Sequence, residues 1–291
     1  MEEVIRTRFD EFNFPFVVNR SIIPNDNSTL FVCSGMQQFK NRFKYPDGSH
    51  EGSLQSCIRT NDIDLVGDGQ HLTYFEMIGN FSFGGHDYEN SVELWHSIVK
   101  DLRLPVSEVR VHPDRLDHKR MWVKRNYQVV NDKTCTWSDG NISGECCELF
   151  VGDLEIGNLV NPLGHSTDVG FGWERLHQLV EGVSRVDETS LFRQDVDYIS
   201  RDFCRTLLVM HENGIRPGPK GREWICRRML RHIINYGVII PGMEEVIDSE
   251  RNNYKDKLRV GKRAFGRKKF SDKPPEWWWE TYGVSIEELQ K

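Results

Sequence analysis

The sequence predicts an α+β fold: a mostly antiparallel sheet flanked by helices, followed by a helical appendage. Three observations carry that expectation. Short apolar and aromatic segments such as SLQSCIRT, LTYFEMIG, ECCELFVG and LEIGNLVN recur through the first two-thirds, separated by Gly- and Asp-containing breaks, as strands and their turns should be. Amphipathic helices intervene between them. After about Asp195 the pattern changes to longer helical stretches without strand-like alternation.

Taken in order, Asn90 is placed to cap a helix over SVELWHSIVKDL, and GWERLHQLVEGV follows glycines with Leu176, Leu179 and Val183 on one face. DYISRDFCRTLLVMHENG and GREWICRRMLRHIINYG each end at a glycine suited to a helix C-cap. The last ~50 residues are charged and include PPEWWWE; the local signals define only a short helix around SIEELQ, with Ser285 at its N-cap. The expected organisation is a sheet-based domain over 1–194, a helical region over 195–240 and a basic, Trp-rich extension over 241–291.

A chain of 291 residues with 38% apolar content can bury one large core together with a smaller helical segment. No apolar run approaches the ~20 residues needed to cross a bilayer, and the acidic start MEEVIRTRFDEF lacks the order of a signal peptide, so the expectation is a cytoplasmic protein with no membrane partner. Seven cysteines, at 33, 57, 135, 146, 147, 204 and 226, show no zinc-ligand spacing and read as reduced, mostly structural thiols. Adjacent Cys146 and Cys147 are poorly placed to share an ion. The net charge of −6 hides an asymmetry: Arg251–Phe270 holds nine Lys/Arg and only Asp256 as an acid, a candidate contact for a polyanion.

The chemistry is concentrated in two constellations. In the first, Arg59 precedes a polar loop, NDIDLVGDGQ, and then His71-Leu72-Thr73-Tyr74-Phe75-Glu76. Two strands joined by such a loop can present a guanidinium to an α-phosphate and an aromatic face to a base. Arginine suits the role because its planar fork binds phosphate oxygens in pairs and stays charged at any working pH. The second runs Thr167-Asp168-Val169-Gly170-Phe171-Gly172-Trp173-Glu174-Arg175 into a helix. Its glycines allow close backbone approach to a ligand, and Arg175 can neutralise outer phosphates.

The first constellation resembles motif 2 of the class II aminoacyl-tRNA synthetases, and its extension HLTYFEMIGNFSFG closely resembles the run found in the alanyl-tRNA synthetases. The second resembles their motif 3, in which the arginine binds the γ-phosphate. Ser34-Gly35-Met36-Gln37-Gln38-Phe39-Lys40 is similar to a segment near that family's active site. Asp202, Arg205 and GREWICRRMLRHIINYG are similar to the start of its helical tRNA-acceptor region. The resemblance covers roughly residues 5–240 and implies a class II synthetase-like antiparallel sheet that binds ATP, Mg²⁺ and an amino acid.

It also implies residue roles. Arg59 and Arg175 would be the catalytic phosphate-binding groups, with His71, Phe75 and Glu76 completing the ATP site. Glu155 would hold Mg²⁺, an ion that takes hard oxygen ligands and needs few from the protein. Met36, Trp137, Asn158, Asp168 and Gly170 would surround the amino acid, with Asp168 on its ammonium group and Trp137 walling its side chain. Arg227, Arg228, Arg231 and His232 form a candidate phosphate-facing stripe. Lys262, Arg263 and Arg267 extend the candidate nucleic-acid contact, and Trp277, Trp278 and Trp279 are available for packing or base stacking.

The expected reaction is attack of an amino-acid carboxylate on ATP, followed by aminoacyl transfer to tRNA, another nucleic acid or a carrier. The chain departs from the family's pattern in a shorter motif 2 loop, in Gly157 where a Trp is usual, in Val169 where a Thr is usual, and in Asn161-Pro162-Leu163 after the strand. These leave the amino acid open: Gly157 either opens space for a larger one or has that space closed by a shift of the backbone. A catalytically silent nucleic-acid- or partner-binding paralogue and an adenylating enzyme that forms amides are the alternatives. Oligomeric state is not specified.

Overall fold

The computed structural model describes residues 1–26, 28–85, 88–140, 142–265 and 273–290. The chain divides into two compact units, Met1–Asp202 and Phe203–Lys291.

The first unit is built on a nine-stranded mixed sheet among the described residues. Its strands are β1 (Phe16–Asn19), β2 (His50–Ile58), β3 (Tyr74–Ser82), β4 (Glu108–Val111), β5 (Val129–Asn131), β6 (Thr136–Asp139), β7 (Ile142–Val151), β8 (Leu154–Val160) and β9 (Thr167–Gly172). The order across the sheet is β1-β2-β3-β9-β8-β7-β4-β5, with β6 paired to β7. All central pairings are antiparallel, as the alternating, turn-punctuated sequence requires. Two edge pairings, β1 with β2 and β4 with β5, are parallel, a detail that strand-like patterning does not encode.

Helices α1 (Glu2–Glu11), α3 (Tyr88–Asp101) and α4 (Leu116–Lys124) accompany this sheet, with α2 (Lys40–Lys44) following a 3-10 turn at Gly35–Phe39. Helix α3 begins before Asn90, so that residue lies inside the helix and is not its cap. The helix buries Val92, Trp95 and Val99, spaced by three and four residues as one helical face should be. The Trp95 ring stacks on Phe171 of β9 at 3.8 Å between centroids, and its indole N–H donates to Asn80 Oδ1 at 2.8 Å. The main core therefore lies between this helix face and the sheet, joined by Ile5, Phe9, Leu149, Ile156 and Leu176.

Helix α5 (Trp173–Glu181) starts where β9 ends and is closed by Gly182 in the left-handed conformation, φ 68°, which glycine adopts without penalty. The boundary between the units falls within α6 (Tyr198–Glu212).

The second unit is helical and larger than the sequence reading allowed. After α7 (Gly221–Asn235), a 22-residue helix, α8 (Glu244–Phe265), occupies much of the segment expected as a basic, Trp-rich extension, and α9 (Pro275–Tyr282) and α10 (Ile286–Gln290) follow. Trp278 is buried with Ala264, Val284 and Leu289, stacked with Tyr282, so it is a core residue and not a base-stacking surface. Trp277 packs beside it, and the Trp279 side chain lies outside the described residues. The Ser285 cap forms as the S-x-x-E pattern predicts: Glu288 N–H donates to Ser285 Oγ at 3.3 Å, and Ser285 N–H to the Glu288 carboxylate at 2.7 Å.

Candidate active site

Strands β2 and β3 pair in register from His50↔Ser82 to Ile58↔Tyr74, which carries Arg59 and Phe75 to the same end of the sheet. The Arg59 backbone N–H donates to Thr73 O at 3.0 Å, and its Nε to Cys33 O at 3.0 Å, so the guanidinium is aimed by two fixed bonds. It lies over the Phe75 ring, 4.8 Å from the centroid. Among the described residues Arg59 forms no ion pair. The following strand is itself anchored: Thr73 N–H donates to the buried Asp202 carboxylate at 2.9 Å.

Two cavities open on this face. The larger, about 380 Å³, is lined by Arg59, His71, Phe75, Glu155, Asn158 and Arg175 among others. A smaller one, about 120 Å³, is lined by Met36, Arg59, Trp137, Asn158, Asp168 and Gly170 among others. Arg59, Met77, Asn158 and Gly170 border both, so the cavities meet there. Gly170 keeps that junction open: a Cβ there would come within 2.6 Å of the Met77 terminal methyl, which would have to swing aside.

Asn158 and Glu155 are three residues apart, which in a regular strand would set them on opposite faces. They share one wall because β8 carries a bulge: Leu149 pairs with Gly157 and Phe150 with Glu155, leaving Ile156 unpaired. Gly157 alternates with Asn158 and so faces away from the smaller cavity. A Cβ there would meet the Phe171 ring at 2.3 Å, so the glycine accommodates the core stack and does not enlarge the smaller cavity.

Arg175, at the start of α5, donates from Nη1 to Glu155 O at 2.6 Å, with the nearest Glu155 carboxylate oxygen at 3.8 Å. Burial lowers its pKa from the usual value, partly offset by Glu155, while the neighbouring Arg59 lowers it further. Asp62, Glu155 and Glu174 line the same cavity, but Arg59 forms no ion pair among the described residues and Arg175 only a long one, so both guanidiniums can accept an anion between them. Adjacent Glu174 is buried and accepts the Glu76 N–H on both carboxylate oxygens at 3.1 Å, which ties the helix start to β3.

Asp168 is the most perturbed group of the site. It is buried, it has no hydrogen-bond or ion-pair partner among the described residues, and desolvation raises its pKa to about 7. Its carboxylate borders the smaller cavity.

One residue expected at the ATP site lies elsewhere. Glu76 alternates with Phe75 and Met77 along β3, so its side chain leaves by the other face, where it pairs with Arg20 at 3.3 Å. Met77, which the sequence reading did not single out, takes the place two residues from Phe75 that strand periodicity assigns to the same face.

The expected arginine stripe on α7 is also redistributed. Arg231 is buried, its Nε 3.0 Å from the buried Glu250 carboxylate and Nη1 bonded to Gly283 O; Arg227 reaches Glu250 at 3.1 Å and Pro217 O at 3.3 Å. These two side chains are held by internal partners and do not form a phosphate-facing row. Arg228, Lys262 and Arg263 are exposed, while Arg267 lies outside the described residues.

A family model described as "tRNA synthetases class II (A)" matches residues 7–161, more than half of the chain. The chain belongs to this family. It is 28% identical to an alanine–tRNA ligase of Desulfitobacterium hafniense (strain Y51), with 78% of this chain and 34% of that protein aligned. It is 29% identical to the alanine–tRNA ligase of Bdellovibrio bacteriovorus, over 82% and 36% respectively. This class II chain thus spans about a third of the length of the curated relatives it matches. Among solved structures, a pyrrolysyl-tRNA synthetase from Desulfitobacterium hafniense aligns at TM-score 0.43 and 16% identity, covering 68% of this chain and 72% of that one.

Proposed function

We propose that this class II chain activates an amino acid with ATP, forming an aminoacyl-adenylate and pyrophosphate. The observation that carries the reading is the meeting of two cavities at Arg59 and Asn158, the larger flanked by two arginines and the smaller by a buried carboxylate with no partner among the described residues. ATP occupies the larger cavity and the amino acid the smaller one, with its ammonium group on Asp168. Its carboxylate then lies at the junction, beside the α-phosphate held by Arg59.

The carboxylate oxygen attacks the α-phosphorus, forming one P–O bond as the bond to the pyrophosphate leaving group breaks. No protein nucleophile takes part. Arg59 stabilises the charge that builds on the α-phosphate, Arg175 turns from Glu155 to the outer phosphates, and Phe75 supports the base. Trp137 and Met36 limit the amino-acid side chain. The donor set suits Mg²⁺: the Glu155 carboxylate and the Asn158 amide oxygen are hard ligands on one wall of the phosphate cavity. Bound there, the ion would neutralise phosphate charge.

The activated group passes to tRNA or another acceptor, with exposed Arg228, Lys262 and Arg263 as the proposed phosphate contacts. Pyrophosphate exchange into ATP, measured with each of the twenty amino acids in turn, tests the reading. Exchange with one or a few amino acids supports it; none with any of them, in a protein that binds ATP, returns the chain to a silent binding module.

A further inference from the structure

Adjacent Cys146 and Cys147 diverge, as successive strand residues must. Cys147 faces the helices and meets the Tyr88 hydroxyl at 3.2 Å, while Cys146 is on the opposite face, the one that carries Asn158 and Asp168. The partner that the sequence could not supply comes from the β6–β7 hairpin. Its register sets Thr136 opposite Glu145, and the next backbone bond, Cys146 N–H to Cys135 O at 3.0 Å, brings Cys135 across from Cys146. Glu148, two residues along the same face of β7, completes a triad: Cys135 Sγ, Cys146 Sγ and a Glu148 carboxylate oxygen all lie within 4.8 Å of one another.

We propose that Cys135, Cys146 and Glu148 bind one thiophilic divalent cation, with Zn²⁺ as the best match, beside the amino-acid cavity. Thiolate sulfur and carboxylate oxygen are both ligand types that Zn²⁺ takes, and three protein ligands with an open fourth position suffice to hold it. With Zn–S near 2.3 Å and Zn–O near 2.1 Å, a tetrahedral edge between sulfur and oxygen is about 3.6 Å. The Cys146 Sγ to Glu148 Oε1 distance is 3.7 Å.

The electrostatics point the same way. Glu148 is half-buried and forms no ion pair among the described residues; its cross-strand neighbour Arg110 gives its Nε to Glu108 at 2.7 Å and lies over Phe150. Arg110 acts on Glu148 only at a distance, which leaves the carboxylate without a directly bound cation among the described residues. On binding, each thiol loses its proton to solvent and the fourth position stays open to water through the exposed side of Glu148. Trp137 packs on Cys135, Cys146 and Val160 and also walls the amino-acid cavity, so the ion would brace that wall.

The site is independent of the proposed activation, and its test does not use activity. Protein purified without chelators is analysed for metal by mass spectrometry, and metal-free protein is titrated with Zn²⁺ against a chromophoric chelator and with Co²⁺ by absorption. The proposal expects one equivalent per chain and a thiolate-to-cobalt charge-transfer band. Both should be lost in Cys135→Ser and weakened at least tenfold in Glu148→Gln, but kept in Cys147→Ser. Glu148 is partly exposed, so Glu148→Gln remains informative where the cysteine variant does not fold. Absence of a stoichiometric ion with no band on cobalt addition, equal loss in Cys147→Ser, or a Cys135–Cys146 disulfide that persists without metal binding would overturn it.

Discussion

Arginines of the two units look alike in sequence and do opposite things in the structure. Arg227 and Arg231 sit in a helix that reads as a basic stripe, yet both share the buried carboxylate of Glu250. Arg59 and Arg175 face a cavity, one with no ion pair among the described residues and the other with its nearest carboxylate oxygen at 3.8 Å. The lesson is that a guanidinium's counter-charge, not its place in a basic run, separates a structural arginine from one available to a phosphate. A buried ion pair holds the fold because removing one partner strands the other; a cavity arginine with no close ion pair is left for a ligand to complete.

The largest effect should come from breaking that comparison on its structural side. Glu250→Ala leaves two guanidiniums without their shared carboxylate, and denaturant unfolding should show a loss of about 3–5 kcal/mol. Arg59→Ala, measured the same way, should change stability by less than about 1 kcal/mol. Equal losses would erase the distinction.

Asp168 sharpens the comparison from the acidic side, as a carboxylate without its cation. Its folded pKa is raised from 3.8 to about 7, so the native state holds its proton more tightly than the unfolded chain does. The resulting stability is fully present below about pH 4 and is lost as pH rises toward 7. Asp168→Asn should therefore stabilise the protein at pH 8, by up to about 4 kcal/mol, and have little effect at pH 4. It should also raise the KM for the amino acid. In the wild type that KM should climb as pH falls below about 7, by up to tenfold per pH unit, and the variant should lose this dependence. Destabilisation by Asp168→Asn at pH 8 would mean that the carboxylate has a partner in the free protein.

A smaller effect is expected at Gly157, where the added Cβ of Gly157→Ala must displace the Phe171–Trp95 stack. Overpacking of this kind costs about 1–3 kcal/mol, read as a lower melting temperature. No change in stability would show that the bulge in β8 can slide. Smallest is the surface term: Lys262→Ala with Arg263→Ala should lower the salt slope of tRNA binding by about 2 and leave stability unchanged, whereas Arg227→Ala should destabilise the fold. Anisotropy titrations at several salt concentrations decide it, and an unchanged slope removes α8 from the nucleic-acid contact.

Much of the sheet was legible because its signals are local. Alternation and turn residues mark β2, β3, β7 and β8, and the Ser285 capping box is readable in four residues. The arms of the cavity were legible for the same reason, since Arg59, Phe75 and Arg175 sit at the ends of local motifs. What stayed hidden depends on contacts between distant segments. The bulge at Ile156 is set by pairing with β7, so the sharing of one wall by Glu155 and Asn158 has no mark in the chain. The convergence of Cys135 with Cys146 needs the hairpin register, and the burial of Arg231 needs Glu250 from another helix. Helix α8 has no clear mark in the sequence because its inward positions include Gly261 and Ala264, small residues that make a weak hydrophobic stripe.

The central claim, that Arg59 and Arg175 face a phosphate-bearing substrate, is tested most directly by pyrophosphate exchange in Arg59→Ala and Arg175→Ala, with unfolding measured on the same preparations. Each variant should lose about a hundredfold or more in exchange, equivalent to ~3 kcal/mol, while unfolding at the wild-type denaturant concentration. Full exchange in both folded variants would contradict the account.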